Sequence, residues 1–423
     1  MPLKPRPALF SPRQSTGASG PFTQRVLVAT FAFLAVMAPL CLFLGVRGFA
    51  PVVGVAGVAC LAFARPSRGD WPGIVLLGVL IAWATVGLAW TPAPNLHGLG
   101  SLKTLTRATL FHLALQLVLC TALVTALARL DRGNAERALT WLAFAMLAGM
   151  ALLTEEGLSH AAVYQAMMAA VHAHTRPDLA VRALAQGGYP TAVLAWPLGM
   201  LLHRQGRTPL ALILAALVPL SLILMRGFAP TAGLAVSLPV YFLVRRFGRP
   251  AILAVMGLTA AYMLLTPLFM LAIDHFGVYA QMKPHLPPSW AERLRIWSFV
   301  ADQFVQHPLR GAGLDASRTF PGIVPLHPHN GPLQLWYELG ALGALLGTGF
   351  WVWLWLRIAG RAEDDRLFAA VASATATVYI VISAVGFGLW QEWWLCVGAL
   401  AMSVCVVFAK TLQAPLLGPG ETG

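Results

Sequence analysis

Runs of apolar residues, each near 20 long, recur along the whole chain and are separated by short stretches of Arg, Pro, Gly and Asn. A helix of that length crosses the roughly 30 Å hydrocarbon core of a bilayer. Twelve such windows fall at 26–46, 49–64, 71–90, 108–128, 136–153, 188–203, 208–225, 228–244, 250–273, 332–356, 367–388 and 391–411. The pattern predicts an all-α, polytopic integral membrane protein with twelve transmembrane helices. The windows at 49–64 and 188–203 are short, and Pro190 and Pro197 predict a kink in the latter.

Two connections are long, 154–187 and 274–331. Long connections in compact proteins tend to be functional. The second has a pattern of its own. After Pro287-Pro288, the stretch Ser289-Trp290-Ala291-Glu292 has the Ser-x-x-Glu form of a capping box. Trp290, Leu294, Trp297, Ala301 and Phe304 then line one face of a helix running to about Gln306 and stopped by Pro308. That helix is expected to lie on the membrane surface or against the bundle. The organisation read from these windows is an N-terminal tail 1–25, one transmembrane domain 26–411 and a C-terminal tail 412–423. No internal repeat is visible.

Composition strengthens the membrane reading. Of 423 residues, 58% are apolar and 11% charged, against about 25% charged in soluble domains. That excludes an ordinary soluble enzyme, and the hydrophobicity excludes disorder. The net charge of +13 would suggest nucleic acid in a soluble protein. Here it reads as orientation charge, with no nucleic-acid partner expected. With the N-terminus inside, 18 of the 29 Lys and Arg fall on the cytoplasmic side, densest at Arg245-Arg246-Arg249 and Arg357-Arg361-Arg366. Both termini are then cytoplasmic and both long connections face outward. The first apolar run exceeds a signal-peptide core and lacks a cleavage site. The five cysteines lie within apolar runs, without disulfide or zinc spacing, and read as packing residues.

Chemistry-bearing residues gather on the outward side. His329-Asn330 precedes the tenth window, and Gly340 and Gly343 follow within it. Glu338 lies in the same span, where a carboxylate must face the bundle interior. Arg226 stands alone between two apolar runs, against the positive-inside bias. Arg293 and Arg295 lie on the loop helix, and Arg182 precedes the sixth window. Such arginines suit a membrane-borne phosphate, because the planar guanidinium bonds its oxygens bidentately and keeps its charge. His329 reads either as a base or as a ring that ties a loop. His327 stands two residues away, with no Cys or carboxylate at metal-ligand spacing. Gly340 and Gly343 read as close-packing positions. Trp351, Trp353, Trp355, Trp390, Trp393 and Trp394 read as interface belts, and Trp297 as either a belt or a sugar platform. No Asp-x-Asp motif occurs, and the one acid cluster, Glu363-Asp364-Asp365, falls on the cytoplasmic side. Metal-independent chemistry without a cofactor is expected.

Three of these features resemble the O-antigen ligase and polymerase superfamily of bacterial inner-membrane glycosyltransferases, mainly over 180–345. They are Arg226-Gly227 between paired spans; Arg293-Leu294-Arg295-Ile296-Trp297 followed by His307-Pro308-Leu309-Arg310-Gly311-Ala312-Gly313; and His329-Asn330-x9-Gly340-x2-Gly343. Met225 departs from the family, which often has a small polar residue before the Arg. The resemblance implies a C-type membrane glycosyltransferase architecture in the bacterial inner membrane, with a periplasmic active site. The implied reaction moves a glycan from undecaprenyl pyrophosphate to a sugar hydroxyl of lipid A–core. His329 would activate the acceptor; Arg226 and Arg293, with Arg182 and Arg295, would hold the pyrophosphate; and His327, Asn330, Glu338, Gly340, Gly343 and Trp297 would support them. The partners expected are that donor, that acceptor and membrane lipids, with oligomeric state open. The spacing leans to a ligase; an O-antigen polymerase shares the donor, and a lipid-linked sugar flippase is a different class.

Overall fold

The computed structural model describes residues 20–93, 109–171 and 176–413. Most of both tails therefore lies outside the described residues. Among the described residues sixteen α-helices form and no strand. They are α1 Pro21–Leu44, α2 Phe49–Cys60, α3 Trp71–Val86, α4 Thr109–Leu127, α5 Arg132–Leu158, α6 Ala162–Ala170, α7 Pro177–Ala185 and α8 Gly188–Arg204. The second half comprises α9 Thr208–Leu224, α10 Phe228–Phe247, α11 Arg249–His275, α12 Val278–Met282, α13 Pro288–Phe304, α14 Gly331–Ala359, α15 Arg366–Val385 and α16 Glu392–Thr411. In lipid every backbone group must find its partner within the protein, so long uncharged runs close into helices. Side-chain caps sharpen several starts: Asp131 accepts from the Asn134 N–H at 2.8 Å, and Asp365 from the Phe368 N–H at 2.9 Å.

Each of the twelve predicted windows coincides with a helix, and ten of these helices are long and apolar enough to cross a membrane. The other two, α8 and α9, have 17 residues each, about 25 Å at 1.5 Å per residue. The protein is an all-α polytopic membrane protein. Pro197 lies inside a continuous α8.

α10 packs along α15, α1 along α5 and α11 along α14. Small residues permit the close approaches. A Cβ on Gly57 would strike Leu119, and one on Gly233 would press on Val378. Large apolar residues such as Leu212, Ile223, Leu258 and Phe242 remain exposed on the outside, where lipid is the solvent.

The tryptophan expectation is corrected here. Trp355 and Trp394 are 0% and 2% exposed, and Trp390 and Trp393 are also buried. They are interior residues, and Trp394 stacks face to face on Tyr379 at 4.4 Å. Burying an indole satisfies its apolar requirement as well as a headgroup layer does. Trp394 donates to Ser383 Oγ and Trp353 to the Gly69 carbonyl, whereas the Trp355 N–H is buried without an acceptor.

α14 is not one straight rod. Gly340 breaks it, with φ 65° and ψ −162°, a conformation open essentially to glycine alone. The freed backbone groups find partners elsewhere in the chain. The Ala312 N–H donates to the Tyr337 carbonyl and the Gly313 N–H to the Glu338 carbonyl, both at 2.8 Å. The Trp83 indole donates to the Leu339 carbonyl, and the Ala341 N–H to the Pro308 carbonyl. Residues 308–313 thus dock into the break. A Cβ on Gly340 would collide with the Leu309 carbonyl, and one on Gly311 with the Glu338 carbonyl. The Gly-rich stretch after α13 and the first glycine of the α14 pair are two halves of one device.

Successive membrane-length helices alternate in direction. The connections at 159–187, 225–227, 276–330 and 386–391 therefore share one end of the bundle, the end that carries every predicted site residue.

Candidate functional site

α14 starts where Asn330 caps it: the Asn330 Oδ1 accepts from the Leu333 N–H at 3.0 Å, while its amide donates to the Tyr262 hydroxyl at 3.3 Å. The residue before the cap is His329, held at φ 56°. Its Nδ1 lies 2.8 Å from the Gly386 carbonyl. A carbonyl only accepts, so Nδ1 carries the proton and Nε2 keeps the lone pair. Burial lowers the pKa of the ring, opposed by the bond to Gly386 and reinforced by the charge of Arg293. The neutral form is favoured, with Nε2 as a proton acceptor.

His327 supports that ring rather than duplicating it. The two imidazoles meet edge to face at 4.2 Å. His327 Nδ1 faces the His329 N–H at 3.2 Å, and its Nε2 faces the Gln391 amide at 2.8 Å. With Nδ1 accepting from the His329 N–H, the neutral ring carries its single proton on Nε2; a cationic ring would carry a second proton on Nδ1 and lose the bond from His329. Burial, and then the charges of His329, Arg318 and Arg293, push its pKa down to about 3. The loop between the two rings is pinned by Trp297, whose indole donates to the Pro328 carbonyl at 2.8 Å. Trp297 is buried, so it is neither a belt residue nor an open sugar platform.

α13 begins two residues earlier than a Ser289 cap would place it. Pro288 occupies the first turn, and no side chain caps the start. The expected capping box is absent because Ser289 is already helical, and Glu292 instead pairs with Arg295 at 2.5 Å. Arg295 is thereby engaged on its own helix. Arg293 is the half-buried one. Its guanidinium carbon stands 5.4 Å over the Trp290 ring, Nη1 donates to the Ser289 carbonyl, and its Nε–H is buried without an acceptor. Burial pulls its pKa down, countered by Tyr189. Its charge acts on both His327 and His329, so the structure brings Arg293 to the histidines.

Arg226 sits exposed in the three-residue turn between α9 and α10, also at φ 56°. The Gly227 N–H closes the turn on the Leu222 carbonyl at 2.7 Å, and Leu222 lies hard against Gly188. The next residue, Tyr189, packs on Phe387 at 4.5 Å, adjacent to the carbonyl that holds His329. Arg226 therefore belongs to the same end and is linked by packing. Arg182 is exposed in the last turn of α7 and, among the described residues, makes no hydrogen bond or ion pair. The structure does not bring it to the histidines.

Glu338 is 0% exposed and accepts four hydrogen bonds. Its Oε1 takes the Ser317 hydroxyl at 2.6 Å and the Gln334 amide at 3.0 Å; its Oε2 takes the Asp315 N–H at 2.9 Å and the Trp390 indole at 2.6 Å. Gly343 packs against Leu339 across the kink, where a Cβ would collide with Leu339 Cβ. Tyr189, Gly386, Gln334, Trp390 and Gln391 are residues of this site that the sequence did not point to. Their signal is weak, since one contributes only a carbonyl and the others are ordinary apolar or amide side chains.

Among the described residues, all five non-glycine residues at positive φ, His160, Ala161, Arg226, Asp315 and His329, stand at this end of the bundle. Strained backbone persists where surrounding structure holds it, and it concentrates at functional sites. An open cavity of about 510 Å³ lies instead by Asp274, His275 and Asp302. Asp302 is nine residues from Arg293, on the opposite face of α13.

Residues 191–348 match the family described as O-antigen ligase. A Rickettsia conorii protein with the provisional name of polysaccharide ligase is 27% identical over 252 residues, covering 56% of this chain and 60% of that one. One from Rickettsia bellii, provisionally named likewise, is 30% identical over 222 residues, covering 48% and 53%. The chain thus matches little more than half the length of these relatives.

Proposed function

We propose that this chain, whose residues 191–348 match the O-antigen ligase family, transfers a glycan from undecaprenyl pyrophosphate to a sugar hydroxyl of lipid A–core. The observation that carries this reading is the His329–Gly386 bond, which leaves Nε2 as the acceptor on a ring whose cationic form is disfavoured. A sugar hydroxyl is a weak nucleophile and gains from a positioned base.

In one displacement, the acceptor oxygen attacks the anomeric carbon and its proton passes to His329 Nε2. The bond from that carbon to the pyrophosphate oxygen breaks, and the leaving group departs on its lipid. Attack from the face opposite the leaving group inverts the anomeric centre. Pyrophosphate leaves without protonation if its charge is met, so preorganised guanidinium groups suffice. The buried, unpartnered Nε–H of Arg293 suits an anionic oxygen, and exposed Arg226 supplies a second fork at the same end. No metal is required by this scheme. The site lies on the periplasmic side of the inner membrane, with both termini cytoplasmic, as the distribution of Lys and Arg supports.

Purified protein given the lipid-linked glycan and lipid A–core, in detergent and without a gradient, is expected to form the joined product. Absence of product with active donor and acceptor overturns the reading. In cells, a deletion strain is expected to accumulate unligated polymer on its lipid carrier. Single repeats ligated to core would indicate the polymerase reaction instead.

A further inference from the structure

We propose that Glu338 is a positioning residue for His329, acting across the bundle through the 386–391 connection; the inference rests on His329 being the base of the transfer proposed above. The two side chains are nine residues apart on either side of the start of α14, and no bond joins them directly. What joins them is the loop between α15 and α16.

Glu338 holds that loop at two successive residues. The Trp390 indole donates to the carboxylate directly, and the Leu389 N–H donates to Gln334 Oε1 at 2.8 Å, the amide of which donates to Glu338. Both ends of the same loop meet the histidines. The Gly386 carbonyl takes the Nδ1–H of His329, and Gln391 meets Nε2 of His327. Between them Gly388 lies so close to the His327 ring that a Cβ there would come within 2.7 Å of it. Six residues therefore transmit the position of one buried carboxylate to both rings.

The chemistry of the side chain is specific. Each oxygen accepts two hydrogen bonds, and all four partners are donors. A carboxylate matches that set, whereas an amide cannot, because whichever way it turns its NH2 faces two donors. Glu338→Gln keeps the shape and disrupts one pair, releasing either Trp390 or Gln334.

The test uses the full-length protein with ¹⁵N-labelled histidine, its His329 signals assigned by comparison with His329→Ala. The native ring is expected as the Nδ1–H tautomer, and Glu338→Gln is expected to show a mixture of tautomers. Turnover per folded molecule should fall by about 10–100-fold, as for a misplaced catalytic group, with KM for the lipid-linked donor within about twofold. In a His329→Ala background, Glu338→Gln should add little, because both changes act through one ring. An unchanged tautomer, or an equal fractional loss with and without His329, overturns the proposal and leaves Glu338 as a clamp for the 308–317 segment. If native protein transfers no glycan, the transferase reading fails while the tautomer measurement still decides the positioning role. If Glu338→Gln does not accumulate, Trp390→Phe removes one donor from the same oxygen and is expected to give the same tautomer mixture; its failure to do so is equally decisive.

Discussion

Trp297 and Pro328 are joined by a single bond, indole N–H to carbonyl oxygen at 2.8 Å. It fastens the buried face of α13 to the loop between the two histidines. The arginine helix and the histidine loop are consequently held as one body. Trp297→Phe keeps most of the buried ring and removes the N–H, leaving the Pro328 carbonyl unpartnered. The expected loss is about 1–3 kcal/mol of stability, with reduced turnover per folded molecule, measured as thermal midpoint and transfer rate on the same preparation.

Arg226 occupies a left-handed conformation that glycine adopts at little cost. Arg226→Gly is therefore expected to insert and fold at least as well as the native chain while losing transfer. Arg226→Ala should lose transfer as well, and Arg226→Lys should restore little, since an ammonium does not reproduce the bidentate fork. Transfer assays normalised to folded protein check this. Native activity in the glycine variant would remove Arg226 from the donor site.

For His329, activity requires the neutral ring. Its pKa is lowered by burial and by Arg293, so activity should persist below pH 6.5, the usual imidazole value, and fall only at more acid pH. Arg293→Ala removes one lowering influence and is expected to move the acid limb towards neutrality, besides weakening donor binding. His329→Ala should retain donor binding while transfer drops about 10²–10⁴-fold. Rate profiles against pH for the three proteins provide the measurement.

His327 gives a stability signature. Its folded pKa, about 3, lies below the unfolded value near 6.5. Between these limits the unfolded chain binds more protons, so stability rises with pH. It is complete above pH 6.5 and is lost as pH falls towards 3, at about 1.4 kcal/mol per unit from this ring. Thermal midpoints across that range should fall for the native protein and flatten for His327→Gln.

Gly340→Ala and Gly343→Ala should both be costly. At Gly340 a Cβ meets the Leu309 carbonyl in a conformation closed to other residues, and at Gly343 it collides with Leu339 Cβ, an atom fixed to the backbone across the kink. Both are expected to lower accumulation of monodisperse protein sharply, Gly340→Ala the more, as size-exclusion profiles would show.

The helices were legible because twelve long apolar runs leave no other way to satisfy a backbone in lipid. Asn330 was legible as a neighbour of the helix start, and it proves to be its cap. The break was not, because a Gly-x-x-Gly pair in a span resembles an ordinary packing motif. Only the docking of residues 308–313 distinguishes them. The tryptophans misled because the large apolar ring of an indole is accommodated by a bundle interior as well as by a headgroup layer. The seat of His329 was invisible for a simpler reason. It is the backbone carbonyl of Gly386, 57 residues away, and a carbonyl has no residue type.

The break in α14 has a consequence for how the protein folds. The carbonyls of Tyr337, Glu338 and Leu339 and the N–H of Ala341 are satisfied by Ala312, Gly313, Trp83 and Pro308. All four partners precede α14 in the chain. Each orphaned group in hydrocarbon costs several kcal/mol, so the broken form of α14 is favoured only with residues 308–313 docked, and without them closing the helix recovers the lost bonds. Docking of the loop and opening of the helix are therefore one cooperative exchange of helical bonds for loop bonds.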